Sequence, residues 1–197
     1  MNDIESKIRN FPYNIILGSG SPRRQELLKG LGFTFSVNPS NADESFPDSL
    51  KGYEIPVYLS KKKADSYQTE LKENELLITA DTIVWCEETV LNKPVDFTDG
   101  KRMLQMLSGK MHEVFTGVCL KNVNKQITFF DSSKVYFKNL KDEEIEYYLS
   151  HYQPYDKAGS YGAQDWIGYT GIDKIDGSYF NVMGLPVKKL FEELINF

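Results

Sequence analysis

Asp81 stands in a run, Leu76 to Trp85, whose other residues are strand formers or small, broken only by Thr79, Asp81 and Thr82. Aspartate is disfavoured in strands, so this carboxylate is predicted at a strand end or inside a cleft. There it can act as a general base or as a ligand to a divalent cation. The plain alternative is a carboxylate that caps a turn or pairs with a basic residue. A second feature lies upstream, where "GSGSPRR" (residues 18–24) puts Arg23 and Arg24 into the first turn of a predicted helix. Cations at that end oppose the helix dipole at a cost of a few tenths to about 1 kcal/mol each. An anion bound at the helix tip resolves the conflict, and a phosphate is the natural candidate.

Other residues fit the same chemistry with less force. Glu44, in "NADESF", is a loop acid that can join Asp81 around a cation. Lys61, Lys62 and Lys63 form a basic run on a predicted helix, of which at most one should point into a cleft. Lys93 precedes Pro94, which forces it extended and gives its ammonium a defined direction; a solvated surface lysine is the alternative. Gln164 lies in the Gly-rich "DKAGSYGAQ", and its amide carries both a donor and an acceptor suited to a base edge; a loop whose glycines merely turn a corner is the alternative. His112 and His151 are the two histidines, with no nucleophile elbow and no His/Cys cluster at zinc spacing. Phosphate chemistry by carboxylates, a hard metal and basic residues is what remains.

The elements that must position these residues read as follows. "NIILG" is an apolar strand delivered into the Gly/Ser turn and a helix with Ser21 as N-cap, Pro22 at the first position and Gly32 as stop. An extended stretch reaches residue 50, followed by a helix from Glu54 to Leu71. "ELLITADTIVWCEETVL" is a central strand with a Glu87–Glu88 turn and a return. A helix capped by Thr98 ends at Gly109, and "HEVFTGVCLKNVNKQITFFDSSKVYF" is a meander turning at "NVNK". "DEEIEYYL" is a helix with its acids in the first turn, Gln153 to Gly184 an aromatic Gly-rich loop, and "LPVKKLFEELINF" a closing amphipathic helix. Alternating helices and strands with a β-rich insert predict a mixed-sheet α/β protein.

With 197 residues the chain can form one substantial core or two small lobes. A net charge of −5 argues against broad nucleic-acid binding, and no apolar run is long enough for a membrane span. The opening "MNDIESKIRNFPYN" lacks the apolar core of a secretory signal. Cys86 and Cys119 sit in apolar strand-like runs without CxxC spacing, as core thiols of a reducing compartment do. A cytoplasmic protein is expected.

Three blocks, "LGSGSPRRQELLKGLG", "ITADTIVWCEETVLNKP…LSGKMHEVFTGV" and "PYDKAGSYGAQ…IDGSYFNVMGLPVKKL", together resemble the Maf family of nucleotide pyrophosphatases, also called septum-formation inhibitor proteins. The resemblance implies one domain over residues 1–197, with residues 1–13 an N-terminal extension. It implies a mixed sheet with flanking helices in two lobes around a cleft, similar to inosine triphosphate pyrophosphatases. It further implies hydrolysis of a nucleoside triphosphate to monophosphate and pyrophosphate with Mg²⁺ or Mn²⁺, and a homodimer. Matched position by position, Asp81 is the proton acceptor and Ser19, Ser21, Arg23 and Arg24 bind substrate. Glu44, Lys63 and Lys93 complete the catalytic set, with Glu44 and Asp81 as metal ligands. Arg23, Thr82 and Gln164 match the branch acting on dTTP and UTP. The rival readings are a pyrophosphatase for 7-methyl-GTP or modified nucleotides, and a nucleotide-binding regulator of cell division. One departure falls beside an assigned residue: Asn92 stands where the family pattern usually has Gly before Lys93.

Overall fold

A computed structural model describes residues 3–40 and 42–197. In chain order the elements are α1 (Asp3–Arg9), β1 (Asn14–Leu17), α2 (Pro22–Gly30), β2 (Phe35–Val37), α3 (Glu54–Asp65), β3 (Glu75–Cys86) and β4 (Thr89–Leu91). They continue as α4 (Phe97–Leu107), β5 (Met111–Lys121), β6 (Gln126–Phe137) and α5 (Asp142–Tyr152). A 3₁₀ turn at Ala158–Ser160, α6 (Trp166–Gly171), β7 (Ile172–Asp176), α7 (Tyr179–Val182) and α8 (Val187–Ile195) complete the chain. Among the described residues the strands form one sheet in the order β2-β1-β3-β5-β6-β7, with β4 on β3. The β1–β2 and β1–β3 pairs are parallel, and β3–β4 and β6–β7 antiparallel, so the sheet is mixed as expected.

The chain divides into two compact units. The first comprises Met1–Asp81, Thr116–Asp131 and Gly184–Phe197; the second comprises Thr82–Phe115 and Ser132–Met183. The first unit buries Ile16, Leu77, Ala64 and Cys119 in one apolar cluster, which fixes α3 against β1, β3 and β5. Close approach is enforced at Gly117 of β5, where a Cβ would sit 2.3 Å from the backbone of Pro56 in α3. Only glycine lets helix and strand meet there. The second unit has its own core, in which Val84, Leu104, Leu107, Val135, Tyr148 and Ile167 are buried together.

Several boundaries differ from the sequence reading, each for a local reason. The helix expected to Leu71 stops at Asp65, where Ser66 is the C-cap and makes the last helical bond, its N–H and its hydroxyl both donating to the Lys62 carbonyl. Tyr67 and Leu71 then pack on the core as irregular chain. The cap of α4 is Asp96 in place of Thr98: its carboxylate accepts the Asp99 N–H at 2.8 Å. The expected loop from Gln153 to Gly184 carries α6, β7 and α7, and β7 is held by its ladder with β6 through Lys134–Asp176 and Val135–Ile175. The Glu87–Glu88 turn is as expected, with both residues at positive φ as a two-residue hairpin requires.

His112, on β5 within the second unit, is 1% exposed, bonded through Nε2 to the Tyr161 hydroxyl at 2.7 Å and edge-on to Phe137. Burial pushes its imidazole from 6.5 to about 3. The folded state therefore keeps His112 neutral where the unfolded chain takes up a proton. Stability from this group is complete above pH 6.5 and falls as pH drops toward 3, by about 2 kcal/mol between pH 7 and pH 5. Urea midpoints at the two pH values check this. The difference between them should shrink by that amount in His112→Phe.

Candidate active site

The Ser/Gly turn after β1 is built by strand and helix together. The Gly18 N–H continues the parallel ladder to the Ile78 carbonyl at 2.8 Å, so it belongs to the sheet. Ser21 caps α2 as predicted, accepting from the Arg24 N–H at 3.5 Å, with Pro22 at the first helical position. Ser19 accepts from the Ser21 N–H and from Arg24 Nη1, each at 3.3 Å. Arg24 also donates from Nε to the Gly184 carbonyl at 2.8 Å. The helix tip is thus a folded knot in which the Ser19 hydroxyl and the Gly184 carbonyl fix the guanidinium plane while the Ser21 hydroxyl caps the Arg24 backbone.

Asp81 ends the part of β3 that belongs to the first unit, and it is 7% exposed. Thr79, two residues earlier and hence on the same face of the strand, donates to the Ser60 carbonyl of α3 at 2.6 Å. That bond sets helix against strand one turn before Lys63, whose ammonium donates to Asp81 Oδ1 at 2.5 Å and to Glu44 Oε1 at 2.9 Å. Lys63 is 8% exposed, and Ser40 bonds its carbonyl at 2.9 Å. Of the three consecutive lysines, then, only Lys63 turns inward; Lys61 pairs with Asp65 on the exposed surface.

Lys62 has a supporting task that the sequence did not disclose. Its ammonium bonds Asp43 Oδ2 at 2.9 Å and the Ser45 carbonyl at 2.8 Å, straddling Glu44. The Ser45 hydroxyl and then the Lys62 ammonium hold the Asp43 carboxyl down at about 2. Lys62 therefore pins the loop by the residues on either side of Glu44, and Lys63 receives Glu44 itself.

Electrostatics tie the helix tip to this carboxylate pair. Burial lowers the Arg24 guanidinium from its ordinary value, Asp81 raises it, Arg23 lowers it and Glu44 raises it. Arg24 keeps its charge in any case. Ser19, Ser21, Arg23, Arg24, Glu44, Lys63 and Asp81 all lie in the first unit. Within it, two carboxylates and the cations Lys63 and Arg24 form one cluster.

Glu44 and Asp81 already share a cation, the Lys63 ammonium, and their hard oxygens suit Mg²⁺ or Mn²⁺ equally. No group of three or more His, Cys, Asp or Glu gathers among the described residues. Glu44 and Asp81 are the two residues here that would hold a divalent ion, which would supply positive charge at this cluster.

Thr82, Lys93 and Gln164 lie in the second unit. Lys93 is exposed, and its neighbour Asn92 accepts the Gly159 N–H at 3.1 Å, which ties the Lys93 segment to the Gly-rich loop. Gln164 is half-buried in a tight turn closed by the Asp165 N–H on the Gly162 carbonyl at 3.0 Å. Cys86 and Cys119 are buried free thiols. No helix among the described residues is long and apolar enough to cross a membrane.

Comparison with known proteins gives a consistent result. The profile of the family described as Maf-like protein matches residues 14–197, beginning at the first residue of β1. A Bacteroides fragilis protein named dTTP/UTP pyrophosphatase is 54% identical over 183 residues, covering 92% of this chain and 95% of its own. A protein of the same name from Parabacteroides distasonis is 51% identical over 186 residues, covering 94% and 96%. One from Porphyromonas gingivalis is 48% identical over 188 residues, covering 94% of each.

Proposed function

The chain belongs to the Maf family, and on that premise we propose that it is a nucleoside triphosphate pyrophosphatase cleaving dTTP and UTP to monophosphate and pyrophosphate. The observation that carries this reading is the Lys63 ammonium shared between Glu44 and Asp81, beside a guanidinium fixed at a helix N-terminus. Phosphate chains are gripped by such arginines because guanidinium forks match phosphate oxygens pairwise.

In this mechanism Arg23 and Arg24 hold the triphosphate at the tip of α2, while Ser21 caps the helix and Ser19 keeps the Arg24 plane in place. Asp81 accepts the proton of a water whose oxygen forms the new bond to the α-phosphorus. The bond from the α-phosphorus to the bridging oxygen breaks, and pyrophosphate leaves with that electron pair. Lys63 spreads its charge over the developing negative oxygens. A Mg²⁺ or Mn²⁺ ion held by Glu44 and Asp81 would supply charge neutralisation on the phosphates and acidify water. The family resemblance assigns Lys93 to the leaving pyrophosphate, and Thr82 and Gln164 to the pyrimidine. The same resemblance supports one domain across both units and a homodimer, while the net charge of −5, the free buried thiols and the lack of a long apolar run support action in the cytoplasm without nucleic-acid or membrane partners.

A panel of dTTP, UTP, CTP, ATP, GTP and 7-methyl-GTP, assayed for pyrophosphate release with each metal, tests the proposal. Expected is a kcat/KM for dTTP and UTP about 100-fold above the purine nucleotides, the worth of two hydrogen bonds to the base at about 1.4 kcal/mol each. Preference for 7-methyl-GTP would overturn the pyrimidine reading. Binding of nucleotides without release of pyrophosphate would overturn the enzymatic one.

A further inference from the structure

Tyr148, on α5 in the second unit, is fully buried among Ile145, Leu149 and other apolar side chains, where phenylalanine would fill the same space without a polar group to satisfy. Its hydroxyl is used twice. It accepts the Gly162 N–H at 3.1 Å and donates to Asp165 Oδ2 at 2.8 Å. These are the two ends of the turn that carries Gln164, and the turn closes on itself through Asp165 N–H to the Gly162 carbonyl. Lys157 Nζ, bonded to Asp156 at 2.8 Å, lies 3.7 Å from the same Asp165 oxygen. Gly162 completes the arrangement: a Cβ there would stand 2.5 Å from Asp165 Oδ2 and 3.0 Å from Gln164 Nε2. The Gln164 amide therefore folds back over the turn that Tyr148 holds.

We infer that Tyr148 is a positioning residue for pyrimidine selection, its hydroxyl latching both ends of the Gly162–Asp165 turn so that the Gln164 amide is held in one orientation. The inference rests on the assignment of Gln164 to the base. Burial, and then the Asp165 carboxylate, push the Tyr148 phenol far above its ordinary range, so the proton needed for the bond to Asp165 stays in place at every working pH. A core-filling tyrosine needs one acceptor; grasping a donor and an acceptor on either side of one glutamine is what a clamp requires. Amide readout depends on such a clamp, because a rotated Gln exchanges its donor and acceptor and loses the distinction between bases.

The test compares wild type, Tyr148→Phe, Gln164→Ala and the double variant, with dTTP and dCTP as substrates that share sugar and triphosphate. Tyr148→Phe and Gln164→Ala should each lower kcat/KM for dTTP about tenfold, the worth of one lost hydrogen bond. The loss should lie in KM with kcat nearly unchanged, the dTTP-to-dCTP ratio should narrow, and the double variant should be no worse than Gln164→Ala alone. A purely structural tyrosine lowers the melting temperature and affects both substrates alike, leaving the ratio where it was. Should Tyr148→Phe not fold, Asp165→Ala cuts the same latch and must narrow the ratio. If Gln164→Ala narrows the ratio while neither latch variant does, or if the double variant loses the product of the two single effects, the latch is overturned and the Gln164 assignment stands. If Gln164→Ala leaves the ratio unchanged, the assignment and the latch fall together.

Discussion

Asp81→Asn is expected to lower kcat for dTTP by on the order of 10³-fold, the range of a lost general base, while the protein folds and melts within a few degrees of wild type. The substitution keeps the size of the side chain and an oxygen to accept from Lys63, and Lys63 retains Glu44 as a charged partner at 2.9 Å. What it removes is the capacity to take a proton from water. KM should change less than kcat, because the phosphate grip assigned to Arg23 and Arg24 does not pass through Asp81. Steady-state kinetics beside a thermal melt decide the matter. Wild-type turnover in this variant removes Asp81 from the mechanism, and loss of folding reassigns it to a structural ion pair.

The parts of the molecule legible in the sequence were those fixed by local chemistry. Ser21 and Pro22 announce the start of α2, "NVNK" turns where the Asn122 side chain accepts from Asn124 and Lys125, and the acids of α5 stand at its N-terminus. The helix α1 and strand β2 are seven and three residues long, too short for a periodic pattern to emerge. The strand β7, "IDKID", has no clean alternation and exists because β6 offers it a ladder, with a register shift at Tyr136/Phe137. Arg23, Arg24 and Asp81 stand out in the sequence because each sits where its residue type is locally unfavourable, and the fold places the charges of Arg23 and Asp81 within reach of Arg24. The supports of the site were silent for the opposite reason. Lys62 on a helix face and Tyr148 in a core are unremarkable locally, and only the fold brings them to Asp43 and Asp165.

Lys63→Met separates the electrostatic function of the cluster from its catalytic one. The methionine matches the length of the lysine stem but leaves Asp81, with a side chain 10% exposed, facing Glu44 without the ammonium between them. Breaking a buried pair by removing one charge costs about 3 kcal/mol, because the remaining charge is neither hydrated nor paired. For a chain of this size that corresponds to a fall in Tm of roughly 6–12 °C. Arg24 supplies part of the compensation through the field it shares with Asp81, so the lower end of that range applies where its guanidinium is still held by Ser19 and Gly184. The second substitution that discriminates is Lys63→Met with Asp81→Asn. Neutralising Asp81 removes the uncompensated charge, so the double variant should melt higher than Lys63→Met alone although it lacks one more functional group. If the lysine stabilised α3 by packing only, the two effects would add and the double variant would melt no higher than the single one. Neither variant should turn over dTTP, since one lacks the cation beside the phosphates and the other lacks that cation and the base together.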